Sequence, residues 1–555
     1  DLPVIDGQLM LRDLAVGTTE TDQLAEVELD LNLQGLRLSP EQKLSAKRLD
    51  SRLFARALPG LALLEARLQT EVLADLADVS LQTTGLAIDA ELTLDNEPQS
   101  PLTANYSGDL LYQQSVGRLS MLEAELTVDQ AQLAADVVFA GLAPDDAWTA
   151  NGNLALGAID LAQMLAQWGV EMPELPSDGL RELAFSSAFR ADQTELGFDG
   201  LELLLDGQTV SGDITLQLTE AFPAIRASLY SPAFSVNNYL PQQHNNDDDL
   251  VADTAAQDQH QEVPLLTPAT QAWLRTLDAE VEARINTLTY QQWDLADVVV
   301  RFQAAGGLLA VPELKLRAFD GRLDADGSLD IQGSQPVVSA RLDASDLQIK
   351  PLLNLLGVKP RLSGKGNLQA DLTTSGNQYD DLIANLAGTA ATRLEDGVVQ
   401  GVDVGYWLRR ANAQIKGGDV TAVDRAETDF SALTASAVIE SGRVQSDDLD
   451  LRAPLFRVSG NGYFDLPTEQ IDYRVAASVV DSLEGQGGRD LQELRGITIP
   501  VLITGRFDNP QVRLDMQRIL RDAAEGQIRE RIEQELDRHL REDAPARQLL
   551  DRFLR

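Results

Sequence analysis

Period-two alternation of apolar and polar side chains dominates this 555-residue chain and limits what it can fold into. Within 311–322, Leu314, Leu316 and Ala318 fall on one side and Lys315, Arg317 and Phe319 on the other. The same rhythm sets Ile214, Leu216 and Leu218 together, then Val298, Val300 and Phe302, then Val338, Ala340 and Leu342, then Tyr473, Val475, Ala477 and Val479. Alternation of this kind marks strands with one apolar face. Asp206-Gly207, Asp320-Gly321, Asp326-Gly327, Asp396-Gly397 and Ser459-Gly460 punctuate the runs, each a place where a short hairpin is expected to close. The pattern predicts many antiparallel strands in series.

Helical spacing is rare and short. It predicts helices over 159–169, ended by Gly169 and Pro173, over 268–277, with Thr267 as N-cap and Pro268 at the first helical position, over 351–356 and over 404–414. The C-terminus differs. Ile528, Ile532, Leu536 and Leu540 recur at four-residue spacing, which predicts one amphipathic helix over 514–540. Residues 242–263 hold little that is apolar and read as an acidic, disordered linker.

A short pattern recurs four times: Ile159, Leu161, Met164, Leu165; Phe234, Val236, Tyr239, Leu240; Leu347, Ile349, Leu352, Leu353; and Val402, Val404, Trp407, Leu408. Each copy follows a block of strands and predicts a switch from strand into a helical turn. Sheet blocks joined by helical elbows describe a repeat protein.

Such a chain has a surface problem. A six-residue strand presents roughly 100 Å² of sheet. About 35 to 40 of them would present on the order of 3,500 Å² of apolar face, worth on the order of 90 kcal/mol when covered. Soluble proteins rarely expose apolar patches beyond a few hundred Å². The helices are too few to cover the face. Either the sheet closes on itself as a sandwich or barrel, or it curls into a trough that holds an apolar ligand; alternation alone leaves both open. Aromatics at 5% lean towards the trough, because closed sandwich cores favour bulky fillers.

Composition removes several function classes. A formal net charge of −42 repels phosphate backbones, so nucleic acid is not an expected partner. With no cysteine there are no disulfides, thiolate metal sites or Cys nucleophiles. No apolar run is long enough to span a bilayer. The chain opens at Asp1 in mid-pattern and reads as a fragment, from which any N-terminal anchor would have been cut off.

The C-terminal third carries a more specific signature. The run over 347–357, then Leu362-Ser-Gly-Lys-Gly-Asn-Leu368, Ala370-Asp-Leu372, Leu386-Ala-Gly388-Thr and the stretch Leu394 to Val404 resembles the characteristic end region of the AsmA family. Gly496 to Gly505, Phe507-Asp-Asn-Pro510 and Val512-Arg-Leu514-Asp add to the likeness. It is strong over about 340–520 and looser before, where only strand texture and elbows agree. The resemblance implies an envelope protein of Gram-negative bacteria, tethered to the inner membrane and projecting into the periplasm. It also implies a mainly β fold: an elongated, curled antiparallel sheet of repeated β units forming a hydrophobic groove, with short helical elbows and the C-terminal amphipathic helix. Phospholipid acyl chains would lie in the groove in support of outer-membrane assembly and lipid homeostasis. Inner membrane, outer membrane and envelope proteins are the implied partners. The acidic insert at 242–263 is not a feature associated with the family.

On this basis the chain divides into an N-terminal β-groove segment, 1–158; a β repeat with its elbow, 159–241; the linker, 242–264; a further β repeat, 265–346; an AsmA-like β region, 347–512; and the final helix, 513–555. Candidate groove residues are the inward members of the alternating sets: Leu203, Ile214, Leu216, Leu218, Val298, Val300, Phe302, Leu314, Leu316, Val338, Ala340, Leu342, Val475 and Val479. A one-residue register change would exchange them for their neighbours.

No catalytic constellation stands out, and neither enzyme activity nor a cofactor is expected. His244 and His260 sit in the linker and His539 among charges on the final helix, so no oriented catalytic or metal-binding set forms. Gly364-Lys-Gly-Asn is too short for a phosphate loop and reads as a turn between strands. The final helix balances ten Arg against ten acidic residues from 513 to 555, and ends in Leu549, Leu550, Phe553 and Leu554. It is expected either to cap the open sheet or to touch a membrane or partner. The alternative to lipid carriage is an assembly factor that pairs client strands of outer-membrane proteins along its sheet edge.

Overall fold

The fold was analysed in a computed structural model that describes residues 4–17, 24–58, 61–94, 97–143, 146–167, 179–218, 224–240, 264–355, 361–401, 403–404, 406, 427–454, 456–480, 498–507 and 510–514. The linker at 242–263 with His244 and His260, the final helix with His539, and most of the helix expected at 404–414 lie outside these residues. Two compact units result: 1–256 with 276–305, and 257–275 with 306–555. The division at 305/306 falls inside the repeat read as 265–346.

The N-terminal unit is built from β1 (Ile5–Gly17), β2 (Leu24–Leu38), β3 (Lys43–Leu58), β4 (Leu61–Asp75), β5 (Ser80–Leu94), β6 (Glu97–Gln113), β7 (Arg118–Val128), β8 (Ala131–Ala140), β9 (Thr149–Ile159), helix α1 (Leu161–Gln167), β10 (Leu183–Asp192), β11 (Glu195–Leu205), β12 (Gln208–Gln217), β13 (Ala224–Ser231), the two-residue β14 (Phe234–Ser235), β15 (Asp278–Tyr290) and β16 (Trp293–Ala305). Each strand from β1 to β13 pairs antiparallel with the next, as the alternation predicts. One joint departs from the expected series. β13 and β14 both pair parallel with β15, and β15 then pairs antiparallel with β16. A parallel pair needs a crossover of a dozen or more residues, which the connection from 236 to 277 supplies.

The C-terminal unit begins with helix α2 (Pro268–Thr276), of which Thr276 is counted with the N-terminal unit, and continues with β17 (Leu308–Ala318), β18 (Gly321–Asp330), β19 (Val337–Gln348), α3 (Ile349–Leu355), β20 (Leu362–Ser375), α4 (Tyr379–Ala384), β21 (Ala387–Gln400), β22 (Glu427–Glu440), β23 (Arg443–Arg452), β24 (Phe456–Asp465), β25 (Gln470–Val479), β26 (Thr498–Arg506) and β27 (Pro510–Leu514). All of these strands pair antiparallel with their sequence neighbours. Most strands are longer than the six residues assumed from sequence, reaching 17 in β6. Bulges explain the difference, because each one interrupts the period-two pattern without ending the strand.

Three of the four expected elbows are described. The first leads into α1 and the third into α3, while the second makes β14 and a 3-10 turn at Asn237–Tyr239. At the start of α2 the Thr267 hydroxyl accepts the N–H of Thr270 at 3.1 Å, the predicted N-cap. The hairpin signals fared unevenly. Asp206 and Gly207 form a two-residue turn with φ of 48° and 75°. The next turn is Phe319-Asp320, one residue earlier than expected, with φ of 51° and 62°, and Gly321 opens β18. Asp326-Gly327, Asp396-Gly397 and Ser459-Gly460 are not turns but lie inside β18, β21 and β24, and Gly364-Lys-Gly-Asn lies inside β20. Gly397 lies beneath the Phe430 ring and Gly460 beneath Tyr473, so these glycines make room for a cross-strand aromatic.

The bulges share a device that alternation does not reveal. Gly35, Gly85, Glu123, Gly200 and Asp346 each have φ between 49° and 67° and sit where the register slips by one residue. A bulge N–H points out of the ladder and needs a partner. In each case a side chain from the residue opposite accepts it: Asp6 for Gly35 at 2.7 Å, Asp109 for Gly85 at 2.8 Å, Asp136 for Glu123 at 2.8 Å, Asp213 for Gly200 at 2.8 Å, and Asn367 for Asp346 at 3.0 Å. Four of these five acceptors are aspartates, so some of the chain's acidic residues have a local structural duty.

A related lock closes the elbow after β14. The Asp206 carboxylate accepts the backbone N–H groups of Leu180, Arg181 and Glu182 at 2.7–3.0 Å and the Tyr239 hydroxyl at 2.9 Å. Burial works to raise this carboxyl, but the four donors outweigh it and hold Asp206 below the usual carboxylate range. Burial and the adjacent carboxylate push the Tyr239 phenol up to about 12. Because the folded state depresses Asp206, its contribution is complete above the unfolded value near 4 and is lost as pH falls through the folded one. Asp206→Asn is expected to destabilise the N-terminal unit by about 1 kcal/mol at neutral pH, a figure kept small because the group is partly solvated. The difference from the parent should vanish in acid. Urea unfolding at pH 7 and below pH 4 checks both parts.

Candidate ligand-binding faces

Register decides which side chains share a face, and in both units one face is apolar from strand to strand. In the N-terminal unit a single row of register partners crosses β1 to β12: Leu9, Leu31, Ser51, Leu68, Ile88, Tyr106, Leu126, Leu133, Leu156, Phe185, Leu203 and Val210. The neighbouring row on the other face runs Asp30, Arg52, Arg67, Asp89, Asn105, Thr127, Gln132. Ile214, Ala227, Val281 and Phe302 continue the apolar face across β12, β13, β15 and β16.

The C-terminal unit repeats the arrangement. Leu316, Leu323, Ala344 and Leu368 form one row, Leu314, Ala325, Leu342, Ala370 and Ala390 the next. Lys315, Asp324, Asp343 and Gln369 occupy the opposite face. Ion pairs bind neighbouring strands on the polar sides, Arg341–Asp371 at 2.7 Å and Arg443–Asp465 at 2.9 Å in this unit and Arg301–Glu282 at 3.3 Å in the N-terminal one. Exposed pairs of this kind contribute little stability each, but they keep the face wet.

Among the described residues the two apolar faces are not sealed along their length. Leu203, Ile214, Leu216, Val300, Phe302, Leu314, Leu316, Val338 and Leu342 are half-buried, and Ala340 is exposed. Leu9 is 53% exposed and Leu81 43%. Large side chains that touch water on one side and strand neighbours on the other form an uncovered apolar floor.

One stretch does close. Leu394, Phe430, Leu433, Leu451, Phe456, Val458, Ala477, Val479, Ile499 and Val501 on β21 to β26 pack together with Ile349 of α3. Leu394 is 1% exposed and Ile499 not at all. A smaller cluster of Ala344, Leu347 and Leu352, flanked by Phe319 and Leu368, sits under α3. The apolar face of the C-terminal unit is therefore open over β17 to β20 and filled by its own side chains over β21 to β26.

The candidate residues distribute accordingly. Leu203, Ile214, Leu216, Val298, Val300 and Phe302 share the apolar face of the N-terminal unit, although Val298 is buried. Leu314, Leu316, Val338, Ala340 and Leu342 share the open face of the C-terminal unit. Val479 belongs to the closed cluster instead, and the half-buried Val475 packs against it. Leu218 lies just beyond β12 and is 49% exposed.

A few polar groups lie on the apolar side. The Thr70 hydroxyl donates to the Glu71 and Thr84 carbonyls, and that of Ser187 to Ala188 and Asp199, so both are satisfied locally. Tyr106 is different: its hydroxyl is buried without a hydrogen-bond partner, and burial, with the nearby Asp109 carboxylate, raises its phenol. Period-two reading hides this residue because a tyrosine in an apolar row scores as apolar. A recess of about 1,020 Å³ is lined by Asp447, Asp448, Asp450, Asn461 and Arg474 together with Leu449, Val475, Pro500 and Leu502, a mixed polar and apolar surface. Among the described residues no cluster of three or more His, Asp or Glu side chains is placed to hold a metal, and no helix is long and apolar enough to cross a membrane.

The sequence model of the AsmA family matches residues 15–449. Protein AsmA of Escherichia coli (strain K12) is 22% identical over 386 residues, which cover 67% of this chain and 62% of that protein. AsmA family protein YhjG of the same organism is 27% identical over 249 residues, covering 40% of this chain and 33% of its own length. The chain thus spans less than two thirds of either relative. No solved structure matches it.

Proposed function

Because this chain belongs to the AsmA family, we propose that its uncovered apolar faces hold phospholipid acyl chains and that the protein carries lipid through the Gram-negative envelope without chemistry of its own. The supporting observation is the row of half-buried and exposed side chains from Leu9 to Val210, apolar but for Ser51 and the Tyr106 hydroxyl and backed by a polar face on the same strands. An acyl chain laid on that floor gains about 0.8 kcal/mol for each CH₂ it removes from water. It leaves one apolar medium for another, so little net work attends its transfer from a bilayer. The head group needs no pocket, since it can stay in water above the floor.

The physiological setting belongs to the same proposal. The protein acts in the periplasm, tethered to the inner membrane, and serves outer-membrane assembly and lipid homeostasis by moving phospholipid outward. The strongly acidic exterior, at −42 overall, keeps such a body soluble and discourages self-association between its apolar faces. The test is lipid analysis of the protein purified from cells without detergent. Phospholipid at about one molecule per chain or more is the expected result, and lipid-free protein of normal fold sinks the proposal.

A further inference from the structure

Among the described residues two sides of the open apolar face of the C-terminal unit are blocked. Towards β21 it meets the closed cluster around Leu394 and Ile499. At the strand ends near Ala318 and Gln348 it meets α3, under which Ala344 and Leu347 are buried. The opposite rim is formed by the start of β17, the β18–β19 loop and the end of β20. There Leu309, Leu329 and Val338 form the last row of the apolar face, each half-buried.

Helix α2 is fastened along this rim. The backbone N–H of Leu265 donates to the Asn377 carbonyl at 2.8 Å, and the Asn377 side chain both accepts from the Leu266 N–H and donates to its carbonyl, each at 2.9 Å. The Arg275 guanidinium reaches the Ile331 carbonyl at 2.8 Å. Leu274 and Gln271 face inward, half-buried. The outer side of the helix, Pro268, Ala269, Ala272 and Trp273, carries no charge and is exposed. Ordinary surface helices show the reverse pattern. Trp273 is 61% exposed, Leu265 57%, and Tyr379, two residues past the Asn377 clamp, 70%.

We propose that this α2–α4 rim seats on the surface of a zwitterionic phospholipid bilayer, with Trp273, Tyr379 and Leu265 entering the interfacial layer beside the mouth of the open face. Trp and Tyr are the side chains that prefer the water–lipid boundary, where an apolar ring and a polar edge are both accommodated. A stripe without Lys or Arg gains nothing from anionic lipid, and an acidic chain is repelled by it, so the surface it fits is net neutral. The rim adjoins the rows headed by Leu309, Leu329 and Val338, onto which an acyl chain leaving the bilayer would pass. The proposal rests on the lipid-carrier reading and adds the place of entry.

Sedimentation of the full chain with phosphatidylcholine–phosphatidylethanolamine vesicles tests it. Binding should fall at least about tenfold in the L265S/W273S/Y379S triple variant, barely respond to salt, and weaken when phosphatidylglycerol is added. A second variant guards against misfolding: with Trp148, Trp168, Trp293 and Trp407 replaced by Phe, the fluorescence of Trp273 should be quenched by brominated lipid in those vesicles. Equal binding by parent and triple variant, no binding by either, or unquenched Trp273 overturns the proposal; a rim that captures protein but no vesicle does so too. Photo-crosslinking from position 316 to phospholipid in detergent micelles needs no docked bilayer. It reports on the carrier reading separately, so a failed rim and a failed carrier give different results.

Discussion

The double variant Ala340→Asp, Ala370→Asp should retain at least about tenfold less phospholipid than the parent while unfolding at nearly the same denaturant concentration. Ala340 is exposed and Ala370 half-buried, on adjacent strands in the middle of the open face of the C-terminal unit, opposite Leu372 and Leu342. In the lipid-free protein both carboxylates reach water, so each substitution should cost no more than about 0.5 kcal/mol. An acyl chain laid over them would strip that water. Placing a carboxylate in hydrocarbon costs about 2.5 kcal/mol or more, and 1.4 kcal/mol is already tenfold in occupancy. Ser339→Asp with Gln369→Asp is the matched control, since both positions are exposed on the opposite face of the same two strands. Lipid quantified by mass spectrometry should be unchanged in the control. Equal lipid in parent and double variant would mean that the ligand, if any, lies elsewhere.

The largest loss of stability is expected from Gly212→Val. A Cβ at Gly212 would stand 1.9 Å from the Ser228 carbonyl oxygen, with φ at 151°. The neighbouring strand cannot yield without breaking the β12–β13 ladder, so the cost is on the order of 3 kcal/mol or more. The next residue, Asp213, clamps the Gly200 bulge, so the two strands flanking β12 are disturbed together. Gly200 provides the contrast. Its φ of 63° suits a left-handed residue and nothing lies within 4 Å of its absent Cβ, so Gly200→Asn should cost no more than about 1 kcal/mol. Urea unfolding of the two variants checks the order. A reversal would show that the close approach at Gly212 is not what holds β12 against β13.

These positions also show how far the sequence could be read. Strand identity and face were legible because Leu314 to Ala318 or Val338 to Leu342 alternate cleanly, and register placed their inward members in common rows. Open and closed face were not legible. Val479 and Leu316 carry the same period-two signal, yet one is packed against Phe456 and its neighbours while the other is half-exposed. What covers a face comes from strands and helices distant in sequence, and alternation holds no record of it.

The glycine-containing pairs misled for a related reason. Asp396-Gly397 has the composition of a tight turn, but its glycine answers to Phe430 on the next strand. The clamped bulges left a trace that could have been followed. Gly108-Asp109, Gly212-Asp213 and Gly366-Asn367 each join a glycine whose Cβ would crowd the next strand to an acceptor for a bulge N–H. That recurrence separates structural carboxylates from merely solvating ones. The outward-facing apolar stripe of α2 was missed because Thr267 and Pro268 identify a helix start without saying which side of the helix meets the sheet.

Single-residue photo-crosslinking along β19 in living cells most directly tests whether the apolar face is a lipid path. A diazirine side chain is placed in turn at 338, 339, 340, 341 and 342, and phospholipid adducts are quantified by mass spectrometry. The outcome expected from the register is a period of two, with adducts at Val338, Ala340 and Leu342 and background at Ser339 and Arg341. Adducts of equal yield at all five positions, or none at the three apolar ones, would contradict it.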